Sequence, residues 1–202
     1  MKIICIGRNY ADHISELGNE KPEQPVIFLK PDTALLKNND PFYHPSFSDE
    51  VHHEVELLIR IKKEGKAIER DFAYKYYDQI GLGIDFTARD IQSNLKSRGL
   101  PWELAKGFNG AAPVSDFVDK GGYDLSNLSF KLLKNGDEVQ QGNTSLMLYS
   151  IDEIIAFVSR YITLKTGDII FTGTPKGVSR VTIGDRLEGF IDDKKMFDFE
   201  VR

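Results

Sequence analysis

The second half of the chain restricts its fold most. Short runs, "LSFKLLKNGDEVQQGNT", "DIIFTGTP", "DRLEGFI" and "KMFDFEVR", follow one another with turn residues between them. Apolar and polar residues nearly alternate in them, which is a strand pattern, and Asn135-Gly136 between two such runs signals a two-residue hairpin. "APVSDFV" reads as a further strand. One helical segment interrupts the series, "SIDEIIAFVSRYI", with Ser150 as N-cap and Glu153 as its capping-box partner.

The first half continues the same grammar. "KIICIG" predicts a buried strand ending at Gly7, and "RNYADHISELGN" a helix with Asn9 or Asp12 as cap candidates and Gly18 as its stop. "VIFLKP" is a strand stopped by Pro31, and the segment from Asn38 to Ser48 an irregular connection. A strand from Glu54 to Lys62, a helix around "FAYKYY", a strand "QIGLGIDFT" and a helix "ARDIQSNLKSRG" closed by Gly99 follow. Many strands with a few separate helices, and no repeating βαβ unit, predict an α+β fold. The chain shows no internal repeat or shift in composition, and 202 residues, 41% of them hydrophobic, suit one sizeable domain over residues 1–202.

Charge and cysteine content narrow the function. Acids outnumber bases 31 to 26 and no basic block occurs, which argues against a nucleic-acid partner. A small acidic substrate stays compatible, because local cations or a bound metal override a modest net charge. The single cysteine, Cys5, excludes an internal disulfide and a Cys-rich zinc site. It fits a reducing compartment, and "MKIICIG" is too short for a signal-peptide core. No run approaches the ~20 apolar residues of a membrane span, so the expected location is cytoplasmic, without a membrane partner.

Three acids carry the strongest chemical signal. In "EVHHEVELLIRI", Glu54 and Glu56 fall on one strand face, about 7 Å apart from the strand rise. That alternation alone equally describes a half-buried strand with a solvated face. Asp85 lies inside an apolar strand, between Ile84 and Phe86, where an unpaired charge is costly. Three carboxylates without cysteine suit a hard divalent ion, Mg²⁺, Mn²⁺ or Ca²⁺. His52 and His53 are weaker ligand candidates, since Leu57 stands where H-E-x-x-H needs its second histidine. One of them reads as a packing residue or an orienting neighbour of the acids.

Other candidates are ambiguous singly. His13 and Glu16 share a helix face, as a surface ion pair or as a base with its orienting carboxylate. Lys106 is a solvated lysine or a site cation. Arg89 and Gln92 follow Asp85 closely and offer a fork and an amide to a carboxylate substrate, unless Arg89 only pairs with Asp90. "FTGTPKGVS" lacks the phosphate-loop order and leaves a tight turn with the Thr172 and Thr174 hydroxyls.

In order along nearly the whole chain, "GRNYADHISELG", "PVIFLKP", "HHEVELLIRI", "GIDFTARDIQ", "GLPWELAKGFNGAAPVS", "NGDEVQQGNTSLMLYSIDEIIAFVS" and "TLKTGDIIFTGTPKGV" resemble the fumarylacetoacetate hydrolase family. Within it they are similar to the short acylpyruvate hydrolase and oxaloacetate decarboxylase type. The resemblance implies a mixed β-sandwich roll with a few peripheral helices, usually a homodimer, holding Mg²⁺ or Mn²⁺ on Glu54, Glu56 and Asp85. It implies that residues 8–20 form a lid helix bringing His13 and Glu16 to a water, with Lys106 reaching the substrate. It assigns Arg89 and Gln92 to the substrate carboxylate, and Gly173 with Thr174 to the turn beside the ligand.

The implied function is metal-dependent cleavage of the carbon–carbon bond of 3-acylpyruvates, such as acetylpyruvate or fumarylpyruvate, with oxaloacetate decarboxylation at the same site. The small 2-oxo acid is then the partner. Two alternatives stand: an isomerase or tautomerase of 2-hydroxy-diene or 2-oxo diacids, and a non-catalytic metal-stabilised binding module.

Overall fold

The computed structural model describes residues 1–202 except Leu17 and Asn19. Its fold is α+β, built from mixed sheets and a few helices. Strand β1 (Ile3–Gly7) leads into helix α1 (Ala11–Glu16), then β2 (Val26–Lys30) and the short β3 (Leu35–Leu36). Strands β4 (Val51–His53) and β5 (Val55–Ile61) are separated only by Glu54, and β6 (Tyr77–Ile84) pairs back on β5. Then come β7 (Thr87–Ala88), helices α2 (Arg89–Ser97) and α3 (Glu103–Lys106), and the short strands β8 (Ala112–Pro113) and β9 (Val118–Asp119). The last part holds β10 (Ser129–Lys134), β11 (Asp137–Asn143), α4 (Ile151–Tyr161), β12 (Ile169–Phe171), β13 (Ser179–Arg180), β14 (Arg186–Ile191) and β15 (Lys194–Glu200).

The larger sheet runs β2-β1-β12-β5-β6-β9 and the second β11-β10-β14-β15, while β13-β4-β7 and β3-β8 are small accessory sheets. Strands β10, β14 and β15 lie against β5 and β6. Between them Leu57, Ile80, Leu82, Phe130, Leu132, Leu187 and Phe197 form part of a single apolar cluster. Each such side chain contributes about 1.5–3 kcal/mol when buried. Helix α4 closes the core with Ile151, Ile154, Ile155 and Val158, one stripe at helical spacing. Its capping box forms as its sequence requires, with Ser150 and Glu153 bonded reciprocally. At Asn135 and Gly136 both φ angles are positive, 57° and 91°, which is the hairpin turn that Asn-Gly favours.

Some expected elements differ. "FAYKYY" forms a 3-10 helix over Arg70–Lys75. "APVSDFV" gives only the two short strands β8 and β9, since Pro113 has no N–H to offer a ladder. Strand β5 is buried on both faces: Glu56 and Leu58 are as enclosed as Val55 and Leu57, and only Arg60 reaches solvent. The solvated-face reading of this strand is therefore wrong, because a second sheet and the acid site cover the two sides. The expected helix before Gly18 is seen as α1, Ala11–Glu16; Leu17 and Asn19 of the expected lid segment 8–20 lie outside the described residues. Among the described residues no helix is long and apolar enough to cross a membrane.

Candidate active site

Strand register brings the acids together. Val55 pairs with Ile84 and Glu56 with Gly83, so Asp85, just past β6, comes beside Glu54, whose carbonyl accepts its N–H at 2.8 Å. Gly83 is required here, because a Cβ would meet the Pro113 carbonyl at 2.7 Å. Glu54, Glu56 and Asp85 are buried, and one carboxylate oxygen from each lies within 4.8 Å of the others. Among the described residues this is the one cluster of such ligand groups.

Buried cations answer the buried acids. Lys106 Nζ bridges Glu54 Oε2 at 2.8 Å and Asp85 Oδ2 at 2.6 Å. Arg89 donates from Nη2 to Glu54 Oε1 and from Nη1 to Gln92 Oε1 at 2.6 Å. Lys30, absent from the expected set, is enclosed at the end of β2 with Nζ 2.7 Å from Asp85 Oδ1. Its three hydrogens go to the carbonyls of Phe86 (3.2 Å), Ala111 (3.0 Å) and Lys106. Asp85 Oδ1 thus feels the charge of Lys30 but has no aligned donor, and it remains a buried acceptor without a hydrogen bond.

These environments split the titrations of the acids. Burial opposes ionisation of Glu54, but Lys106 and Arg89, with His13, outweigh it and hold its carboxyl well below the usual range. Glu56 goes the other way: burial, then Asp85 and Glu54, push it well above, against the Gly173 N–H that bonds Oε2 at 2.7 Å. Lys106 loses hydration, yet Asp85 and Glu54 more than compensate and raise its pKa, so it stays an ammonium. A divalent ion fits this donor set. It would relieve the mutual repulsion that burdens Glu56 and use the unbonded oxygen of Asp85.

The acids form the floor of a cleft. Ile6, Phe28 and Trp102 give it an apolar wall, the last two rings meeting edge to face at 5.8 Å. His13, Arg89, Gln92, Lys106 and Thr174 line it, and so do Arg8 and Lys96, which the sequence reading did not select. Arg8 follows β1 with φ +60°, a conformation that most residues avoid. The spacing of "GRN" alone gives no signal for it.

Residues 172–177 tie the parts together. Asn9, expected as a helix cap, instead donates to the carbonyls of Thr172 (2.7 Å) and Tyr149 (3.0 Å) and accepts from Tyr149 N–H. Gly173 sits against Asn9, where a Cβ would come within 2.6 Å, and its φ is +103°. The Glu16 carboxylate accepts the Gly177 N–H at 3.0 Å and faces His13 Nδ1 at 3.2 Å, while Lys176 pairs with Asp12 at 2.9 Å. Helix α1 is thereby docked over the cleft with His13 only 6% exposed.

The selected residues His13, Glu16, Glu54, Glu56, Asp85, Arg89, Gln92, Lys106, Gly173 and Thr174 therefore converge in one region. Arg89 pairs with Glu54 and Gln92 rather than with Asp90, whose carboxylate accepts from Ser48 at 2.6 Å. Neither histidine of "EVHHEVELLIRI" joins the acids: His52 faces Glu50 at 3.1 Å, and His53 lies between Gln140 and Ser179. Burial lowers the pKa of His53 to about 4, against the opposing hydrogen bond to Gln140.

The family model described as fumarylacetoacetate (FAA) hydrolase C-terminal matches residues 2–200. The mouse protein named oxaloacetate tautomerase FAHD1, mitochondrial, is 44% identical over 201 residues, 99% of this chain and 91% of that protein. Oxaloacetate tautomerase YcgM of Escherichia coli K12 is 41% identical over 188 residues, 92% of this chain and 86% of that one. Among solved structures, fumarylpyruvate hydrolase from Pseudomonas aeruginosa, in complex with Mn²⁺ and pyruvate, superposes with a TM-score of 0.95. It is 31% identical and covers 100% of this chain and 89% of its own.

Proposed function

The chain belongs to the fumarylacetoacetate hydrolase family, and from that premise we propose that it is a divalent-metal-dependent enzyme of small 2-oxo diacids, with keto–enol tautomerisation of oxaloacetate as its main reaction. One observation carries the reading. Three buried carboxylates converge within 4.8 Å on the floor of a cleft whose other polar lining is cations, an amide, a hydroxyl and a histidine. That combination suits an anionic substrate that gains negative charge as it reacts.

Glu54, Glu56 and Asp85 would hold Mg²⁺ or Mn²⁺, which when bound supplies the Lewis acidity that makes an enolate accessible. Arg89 and Gln92 fix one substrate carboxylate, and Arg8 with Lys96 adds positive field for the second. Lys106, kept protonated by its acid neighbours, acts through charge on the developing enolate oxygen rather than as a base. His13, with Nδ1 turned to Glu16, has Nε2 left as its basic atom and takes the proton from the carbon between the keto and carboxylate groups. Returning that proton to carbon or oxygen interconverts the tautomers.

A second reading has a specific support: the His13–Glu16 pair is built on a helix docked over the cleft, as water activation requires. The same pair then takes a proton from water, and hydroxide attacks the distal carbonyl of an acylpyruvate. Breaking the carbon–carbon bond leaves a carboxylic acid and pyruvate enolate, which picks up the proton. We further propose that the protein works as a homodimer, checked by light scattering on the eluted protein.

The deciding experiment follows the ultraviolet absorbance of the oxaloacetate enol with Mn²⁺, Mg²⁺ or chelator, with acetylpyruvate in parallel. Metal-dependent enol interconversion far above the buffer rate, lost with chelator and in His13→Ala, is expected. Acetylpyruvate cleavage outpacing tautomerisation would make the hydrolase the main activity. Rates on both substrates at the buffer level would refute the enzyme reading.

A further inference from the structure

Gln140 does not line the cleft, yet each hydrogen-bonding position of its buried amide is filled. Oε1 accepts from Val55 N–H at 3.0 Å and faces His53 Nδ1 at 2.8 Å. Nε2 donates to Thr174 Oγ1 and to the Pro175 carbonyl, both at 2.9 Å. A peptide N–H only donates and a carbonyl only accepts, so the amide has one permitted orientation. Turning it over would set donor against donor at Val55 and acceptor against acceptor at Pro175.

The orientation propagates in both directions. Towards the interior, His53 Nδ1 must carry a hydrogen, because it faces an acceptor. His53 Nε2 lies 2.7 Å from Ser179 Oγ, to which Lys134 Nζ donates at 3.4 Å. The serine's own hydrogen is thereby left for Nε2. Towards the cleft, Thr174 Oγ1 accepts from Gln140 and gives its single hydrogen to the Val55 carbonyl at 2.9 Å. Its one other bonded acceptor, the Pro175 carbonyl at 3.4 Å, also lies within the protein. The valence that remains on Oγ1 is a lone pair, and Thr174 lines the cleft.

Local backbone structure serves this arrangement. Leu132 pairs with Gln140 and Leu133 with Glu138, so Val139 is the extra residue of a β-bulge, a device that re-aims side chains beside functional sites. The Val139 carbonyl then packs where Gly177 has no Cβ.

We propose that Gln140, held by His53 and Ser179, is a positioning residue: it fixes Thr174 as a hydrogen-bond acceptor, so the cleft takes a substrate group that bears a hydrogen there. For a 2-oxo acid that group is the enol hydroxyl rather than the carbonyl oxygen. The identity of the ligand rests on the function proposed above, whereas the hydrogen-bond chain does not.

Two measurements test it. In ¹⁵N-resolved NMR of the whole protein, His53 is expected to carry its proton on Nδ1; a ring protonated on Nε2 alone would overturn the chain. In the Mn²⁺-loaded enzyme, Gln140→Met and Thr174→Val are each expected to raise KM for oxaloacetate about fivefold to tenfold, the worth of one neutral hydrogen bond. The double variant should lose no more than the worse single one, with Mn²⁺ affinity by calorimetry unchanged in all three. Multiplying losses would show that Gln140 does not act through Thr174. A wild type inactive on every 2-oxo acid would sink the proposed function instead, and the His53 signal would then decide the network by itself.

Discussion

Replacing Lys30 by Met keeps the aliphatic stem and deletes one ammonium from the interior. The loss is larger than one ion pair. Asp85 Oδ1 loses the charge 2.7 Å away, and the carbonyls of Phe86, Ala111 and Lys106 lose their shared donor at a position with 0% side-chain exposure. Removing one partner of a buried pair costs about 3–5 kcal/mol; Asp85 keeps Lys106 on Oδ2, so the cost here falls on Oδ1 and on the three carbonyls left without a donor. For a chain of this size 1 kcal/mol moves the melting point by about 2–4 °C, so a fall of roughly 6–20 °C is expected in chelator. With Mn²⁺ present the gap to wild type should narrow, since an ion at the acids takes over part of the neutralisation that Lys30 supplied. Differential scanning calorimetry of both proteins, with Mn²⁺ and with chelator, reads this directly. A variant melting within about 2 °C of wild type in chelator would refute the assignment of Lys30 as the counter-ion of Asp85.

His53 predicts a pH dependence of stability. Its pKa falls from 6.5 in the unfolded chain to about 4 in the fold, chiefly through burial. Above pH 6.5 both states are neutral there and its contribution is fully present; as pH falls towards 4 the unfolded chain binds a proton that the fold refuses. About 3 kcal/mol is lost over that window, so urea titrations between pH 7 and 4 should show a slope about one proton steeper than in His53→Gln. Equal slopes would contradict it. Gly177→Ala should cost about 1–3 kcal/mol or more, since its φ is +96° and a Cβ there collides with the Val139 carbonyl. Gly99→Ala, at φ +64° with open space around it, isolates the conformational part and should cost less; an equal drop in both melting curves would argue against the Val139 contact.

The fold was legible where its cause is local. The Asn135-Gly136 hairpin and the Ser150–Glu153 capping box form from neighbouring residues, and both are found where the sequence places them. Asp85 was legible because a buried acid announces itself by its apolar neighbours, whereas Glu54 and Glu56, which also fit a solvated strand face, were legible only together with it and with the family resemblance. Lys30 was not, although it is just as deep. Its partners are backbone carbonyls from three later segments, and a carbonyl has no residue type to read. Gln140 escaped for a related reason: its aim depends on the bulge at Val139, and the largely polar "DEVQQGN" carries no apolar alternation from which a slip in register could be read. Arg8 enters the cleft through a left-handed backbone angle that sequence does not advertise in a residue other than glycine, asparagine or aspartate.

Strand β12 lies between β1 and β5, parallel to the first and antiparallel to the second, and residues 172–177 continue directly from it. On the ribosome this order has a cost in time. The strands that carry Glu56 and lead to His13 emerge first, with no common neighbour, and they wait for Ile169–Phe171 to come between them. Until then their edges offer unpaired backbone and Ile- and Leu-rich faces to other chains, the state in which partly made proteins aggregate. Nascent chains stalled before residue 169 should be digested by protease throughout, whereas released full-length chains should resist. Early protection of β1 and β5 in stalled chains would mean that the two strands find another partner while they wait.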